Sequence, residues 1–214
     1  MKMRIGVLVA MDKEFEQLST LSIDGIVVRK TGMCKVNAAV NATRLILDYH
    51  PDIIVSSGCA GGARTDMDVM DVVVSSRIAY HDVYCGIEDE IKGRVQGLPH
   101  YFETPANIVE KALDLKYDGK IHAGLIASGD WFVDSLQKMN EIKALYPDAV
   151  AVDMESAALA QTCHLFNTPF VSFRVISDVP AKENSLATYK DFWNTVSEHS
   201  FEVTSSFLKK LQEM

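Results

Sequence analysis

Short apolar runs rich in valine, isoleucine and alanine recur along this chain, and most are followed by a segment of helical character. Residues 4–10, 25–30, 52–57, 69–76, 120–128 and 169–176 carry the strand pattern. Residues 11–21, 35–49, 106–115, 135–145 and 153–166 read as helices, and residues 185–211 as a long terminal helix or helix pair. Strands apolar on both faces need cover on both faces, and alternation with helices supplies it. The expectation is an α/β fold: a single domain over residues 1–214, with a mixed, mostly parallel central sheet flanked by helices. In the helix at 35–49, Val36, Ala39, Val40, Thr43, Ile46 and Leu47 fall on one face at a period of 3.6.

Sheets of this kind bind ligands beyond the carboxyl ends of their strands. Residues 11–14, 58–62, 128–133 and 177–178 all follow apparent strand ends, which puts four candidate segments on one edge. With 214 residues, 48% of them hydrophobic, the chain can bury a substantial core. A formal charge of −8 argues against a nucleic-acid partner, which needs a basic face. Only residues 5–10 are apolar near the N-terminus, too few for a signal-peptide core, and no run approaches the length of a membrane span. Cys34, Cys59, Cys85 and Cys163 are widely scattered, and the six histidines lack metal spacing. A disulfide framework and a metal site are therefore not expected, and a reducing cytoplasm is the expected location.

Two stretches carry chemistry. Val152-Asp153-Met154-Glu155-Ser156-Ala157-Ala158 places two acids where a helix should begin, and Arg174-Val175-Ile176-Ser177-Asp178 ends an apolar strand on polar residues. A helix N-terminus stabilises acids by itself. The small, apolar residues that follow imply a buried helix, whose acids need partners, and a vicinal diol is a suitable one. Arg174 fixes one such carboxylate or forms a structural ion pair. Asp178 is an acid poised at a site or a turn residue before Pro180. Ser57-Gly58-Cys59-Ala60-Gly61-Gly62 brings backbone N–H groups near a ligand or makes a tight turn; it matches neither a Walker loop nor a dinucleotide fingerprint. Phe132 stacks on a flat heterocycle or joins the core, and Glu14 is a site carboxylate or a solvated helix charge.

Taken together, these segments resemble the nucleoside phosphorylase/nucleosidase superfamily, above all its 5′-methylthioadenosine/S-adenosylhomocysteine nucleosidases. The resemblance runs through Ile5 to Met11 with Glu14, Thr31-Gly32-Met33-Cys34-Lys35-Val36-Asn37-Ala38-Ala39, residues 57–62, Tyr80-His81-Asp82, Ser128-Gly129-Asp130-Trp131-Phe132, Val152 to Ala157 and Phe170 to Asp178. It implies a nucleoside phosphorylase-like fold and hydrolysis of a purine riboside without a cofactor. Asp178 would be the general acid toward the purine and Glu14 the carboxylate that handles the attacking water. Glu155 would hold ribose hydroxyls and Met154 would pack on the sugar. Phe132 would stack on adenine, with the Val133 backbone reading the base edge. Ser177 would position Asp178, Arg174 would support the acid cluster, and Cys59, Ala60 and Gly61 would line the site. Relatives are commonly homodimers, and residues 97–101 are the candidate loop closing a partner's pocket.

The chain departs from that pattern at Cys59, where serine is usual, at Asp153, where glutamate is usual, in a short 21–31 connection and in a rearranged segment 83–97. The last keeps a futalosine-type nucleoside hydrolase as an alternative. A phosphorylase would need a basic phosphate clamp; residues 55–57 hold no arginine, and Arg64 is the only nearby substitute. A silent nucleoside-binding protein is the remaining alternative, but binding alone needs no paired acid and base.

Overall fold

The computed structural model describes residues 2–21, 23–86, 91–182, 185–193 and 202–214. In chain order the elements are β1 Ile5–Val9, α1 Asp12–Ser19, β2 Ile26–Lys30, α2 Cys34–Tyr49, β3 Ile53–Gly62, β4 Val72–Tyr80, β5 Phe102–Glu103 and α3 Ala106–Leu113. There follow β6 Ile121–Ser128, α4 Leu136–Leu145, β7 Ala149–Asp153, α5 Ser156–Leu165, β8 Phe170–Asp178, α6 Ser185–Asp191 and α7 Glu202–Gln212. The α/β architecture and the mixed, mostly parallel sheet are as expected. Part of the terminal segment read as helical, residues 194–201, lies outside the described residues.

The sheet closes on itself. β3 pairs in parallel with β8, β8 antiparallel with β4, β4 in parallel with β6, β6 in parallel with β7, and β7 antiparallel with the last two residues of β3. β1 and β2 extend the sheet from β3, and β5 extends it from β4. Closure is achieved at a register break between Ala60 and Gly61, beyond which Gly61 still pairs with Asp178 of β8 while Gly61 and Gly62 meet Val152 and Ala151 of β7. The glycine segment is therefore the end of a ten-residue strand, not a loop beyond it. Because β6 and β7 run against β3, their carboxyl ends face those of β1, β3 and β8 across the mouth of the closed sheet.

Alternation along the strands divides the core. Ile5, Val7, Val9, Ile53 and Val55 point toward α3 and α7, where Phe207 stacks on Phe173 with ring centroids 4.5 Å apart. Leu8 and Ile54 point toward α2 and α5. Here the structure corrects two sequence readings. Residues 149–153 form strand β7, so Asp153 ends a strand and α5 begins at Ser156. On α2 the buried residues are Ala38, Ala42, Leu45 and Ile46, whereas Val36, Val40 and Leu47 of the apolar face are 74%, 45% and 56% exposed. The reason is steric: α5 presents Ala157, Ala158 and Ala160, and two helices lined with alanine approach closely, leaving the bulkier stripe outside. Among the described residues no helix is long and apolar enough to cross a membrane.

Candidate active site

Where the strand ends face one another there is a cavity with about 650 Å³ of empty space, its open mouth included. Glu14, Cys59, Met154, Glu155, Ser177 and Asp178 line it, as do Ala60, Gly61, Phe132 and Val133 of the predicted set. Residues far apart in sequence are thus brought into one wall by sheet closure.

Glu14 stands in the first turn of α1, directly after β1. Its Oε2 accepts the N–H groups of Ala10 and Met11, both at 2.9 Å, and its Oε1 accepts that of Cys59 at 3.1 Å. Burial nevertheless pushes its pKa up, against the pull of those N–H groups and of the Arg174 guanidinium. A carboxylate so held, with raised proton affinity, has the properties of a general base. The Cys59 thiol is driven well above its usual range by burial and by the charge of Glu14, so it is a neutral wall of the cavity.

Glu155 precedes α5 and accepts the N–H of Cys34 at 3.0 Å. Its pKa is raised to about 7, first by burial and then by the negative charge of Asp153, with Arg174 pulling the other way. Asp153 forms a buried ion pair with Arg174 Nη2 at 2.8 Å. It also accepts the Ser156 N–H at 3.2 Å, and a hydrogen bond from the Ser156 hydroxyl. The same guanidinium donates to Ser56 Oγ at 2.8 Å and to Ser156 Oγ at 3.1 Å.

Arg174 therefore does not line the cavity, contrary to its place among the substrate-contacting residues expected from sequence. It lies behind the wall, 2% exposed, committed to Asp153. Gly58 makes room for it: a Cβ there would stand 2.5 Å from Arg174 Nη1 and 2.7 Å from Glu14 Oε1. At the end of β8, Ser177 Oγ lies 2.9 Å from Asp178 Oδ1 and 3.3 Å from the Ala60 carbonyl oxygen, which orients the acid.

The mouth is aromatic. Phe132 meets Tyr189 of α6 edge to face at 5.1 Å, and Trp131 lies under Lys138 Nζ at 4.7 Å. None of the described residues lining the cavity is basic, and Arg64 is engaged by Asp66. Among the described residues no group of three or more histidines, cysteines, aspartates or glutamates is arranged to hold a metal ion.

This geometry has close parallels. The family model of the phosphorylase superfamily matches residues 18–209. The 5′-methylthioadenosine/S-adenosylhomocysteine nucleosidase of Bacillus subtilis is 37% identical over 190 residues, covering 87% of this chain and 81% of the relative. The chain belongs to the phosphorylase superfamily and to its methylthioadenosine/adenosylhomocysteine nucleosidase family. Among solved structures, the nucleosidase of Streptococcus pneumoniae with the transition-state inhibitor MT-ImmA superposes with a TM-score of 0.88 at 30% identity, covering 98% of this chain and 100% of that one. A putative nucleosidase of Borrelia burgdorferi bound to adenine gives a TM-score of 0.87 at 31% identity, covering 96% and 99%.

Sequence reasoning assigned no site role to Tyr189, Met33 or Trp131, which also line this cavity, nor to the Cys34 N–H. Tyr189 sits in a helix with no motif around it, and a backbone donor leaves no mark on residue identity. Residues 97–101 do not line the cavity of their own chain; His100 Nε2 is 3.0 Å from the Tyr146 hydroxyl. The rearranged segment 83–97 is described only in part, residues 87–90 lying outside.

Proposed function

We propose that this chain hydrolyses the N-glycosidic bond of 5′-methylthioadenosine and S-adenosylhomocysteine, releasing adenine and the thioribose. One observation carries the reading: Glu14, Glu155 and Asp178, from three distant segments, line a single cavity with an aromatic mouth. Cleavage builds positive charge on the ribose and negative charge on the departing purine. Asp178 gives its proton to purine N7 as the C1′–N9 bond breaks, so adenine leaves neutral. Water attacks C1′ and loses its proton to Glu14, and solvent returns the proton to Asp178. Glu155 accepts hydrogen bonds from the ribose hydroxyls and, with Glu14, favours the cationic sugar. Met154 packs on the ribose, Phe132 stacks on the base, and the backbone of Val133 reads its edge. Cys59, Ala60 and Gly61 shape the wall, and Ser177 aims Asp178.

Water is favoured over phosphate because the lining residues are acidic or neutral, and Glu14 would repel an anion. Methylthioadenosine, adenosylhomocysteine, inosine and a futalosine-type nucleoside, each incubated with and without phosphate, decide between the readings. Adenine release independent of phosphate is expected from the first two. Formation of a pentose 1-phosphate would mark a phosphorylase, and saturable binding without turnover a sensor.

The same reading takes the chain as one domain over residues 1–214 that works as a homodimer in the cytoplasm. Val36, Val40 and Leu47 of α2, together with Met33, form an exposed apolar strip suited to a second copy. Residues 97–101, lying off their own cavity, are then placed to close the partner's. All four cysteines are free, which fits a reducing compartment.

A further inference from the structure

The contacts that hold the two ends of the cavity converge on the N-terminus of α2. That terminus has no side-chain cap of its own. The Cys34 N–H donates instead to Glu155 Oε1 at 3.0 Å, and the Lys35 N–H to Asp130 Oδ1 at 2.8 Å. The first N–H groups of a helix are unpaired and carry partial positive charge, so carboxylates from elsewhere in the chain are fitting partners. One of these two faces the cavity; the other stands two residues before Phe132.

Around Asp130 the contacts multiply. Lys35 Nζ pairs with Asp82 Oδ2 at 2.8 Å and lies 3.9 Å from Asp130 Oδ2. The Asp130 N–H donates to the same Asp82 oxygen at 2.8 Å, and Lys35 Nζ lies over the Tyr80 ring at 5.4 Å from its centroid. Gly129 lets the loop descend this far: a Cβ there would stand 2.6 Å from Asp82 Cγ and from His81 Cε1. The side chains of Lys35, Asp82 and Asp130 are 26%, 26% and 41% exposed, and pairs so exposed add little to stability. Their effect is on position. None of the three lines the cavity.

We propose that Lys35, Asp82 and Asp130 form a clasp that fixes the base-stacking loop relative to the ribose-binding carboxylate, making all three positioning residues for the nucleoside. This rests on the nucleosidase reading above. Lys35 is the pivot, because its N–H holds Asp130 while its ammonium separates two carboxylates that would otherwise repel. Without that charge the loop bearing Phe132 keeps only its backbone tether to α2, now set against the repulsion between Asp82 and Asp130. Stacking on the base is present in both the bound substrate and the transition state, so a loosened loop raises KM and spares kcat.

The test uses the full-length protein and its Lys35→Met, Asp82→Asn, Lys35→Arg and Lys35→Met/Asp82→Asn variants. Steady-state kinetics on methylthioadenosine, adenine affinity from tryptophan quenching and thermal melting are read on each. Lys35→Met and Asp82→Asn are expected to raise KM and weaken adenine binding about tenfold, with kcat within about threefold of the parent. Lys35→Arg should recover most of the loss, and the double variant should be no worse than the poorer single one. Unchanged KM and adenine affinity with a lowered Tm would make the cluster merely structural and overturn the clasp. So would a loss confined to kcat. If the parent binds adenine but cleaves no nucleoside, the nucleosidase reading falls instead, and adenine affinity still judges the clasp.

Discussion

At the deep end of the cavity Glu14, Asp153, Glu155, Arg174 and Asp178 are each less than a tenth exposed, whereas at its mouth Phe132 and Trp131 are 42% and 54% exposed. The deep residues arise in strands or within five residues of a strand end, so the sheet dictates their positions. The mouth is formed by the loop after β6 and by α6. On the proposed mechanism, groups that must meet reacting atoms are placed by rigid backbone, and groups that meet the flat, tolerant base are placed by connecting segments. Substitutions at depth should therefore cost chemistry or folding, and substitutions at the mouth should cost affinity.

The largest effect is expected at Asp178. Asn at this position keeps the shape and the contact with Ser177 but has no proton to give. Turnover of methylthioadenosine should fall by about 10²–10⁴-fold, with much of the binding retained. A variant that turns over at the parental rate would remove Asp178 from the reaction.

Arg174 and Asp153 sharpen the contrast, because they form a buried ion pair of which only Asp153 reaches the cavity. Asp153→Ala leaves a buried guanidinium without its carboxylate and should cost about 3–5 kcal/mol in urea unfolding. Replacing both partners with apolar residues should recover most of that stability. It should not restore activity, since the guanidinium charge that restrains the upward shift of Glu14 is gone. Restored activity in the double variant would show that Arg174 supports folding alone.

Glu155 sets function against stability. Its folded pKa of about 7 lies above the value of 4.5 for a free side chain. Between these values the folded protein holds a proton that the unfolded chain has released, so stability declines as pH rises from about 4.5 to about 7 and then levels off. The total decline from this group is at most about 3 kcal/mol. Accepting hydrogen bonds from a diol needs the ionised form, so kcat/KM should rise over the same interval. Glu155→Gln should flatten the stability profile and remove the acid limb near pH 7 from the activity profile. An acid limb that survives in the variant belongs to another group.

The same division explains what could be read from sequence. Residues 5–9 and 170–178 are long, apolar and bounded by polar residues, so both strands were legible together with the acids at their ends. β7 was not, because Ala149-Val150-Ala151-Val152 is short, half alanine, and runs into a helix after two residues. The apolar stripe of α2 was visible, but its burial was not. Hydrophobicity marks a face that seeks cover, and only the alanines of α5 reveal which face the chain itself covers. Arg174 was legible as an arginine out of place in a strand, and the ion pair it makes required knowing that β7 ends beside it. Met33, Trp131 and Tyr189 carry no mark of their place in the sequence, because mouth residues come from segments whose path no periodicity fixes.

The smallest effect is expected at that mouth. Phe132 and Tyr189 meet edge to face at 5.1 Å, an arrangement that contributes roughly 0.5–1.5 kcal/mol beyond burial. Tyr189→Leu should therefore raise KM for methylthioadenosine only severalfold and leave kcat near the parental value. In a double-mutant cycle with Phe132→Leu, the two losses should fall short of additivity, because either substitution alone removes the shared ring contact. A large fall in kcat from Tyr189→Leu would give the mouth a part in the chemistry. The line between a sheet-borne catalytic floor and a loop-borne recognition rim would then have to be drawn on the other side of α6.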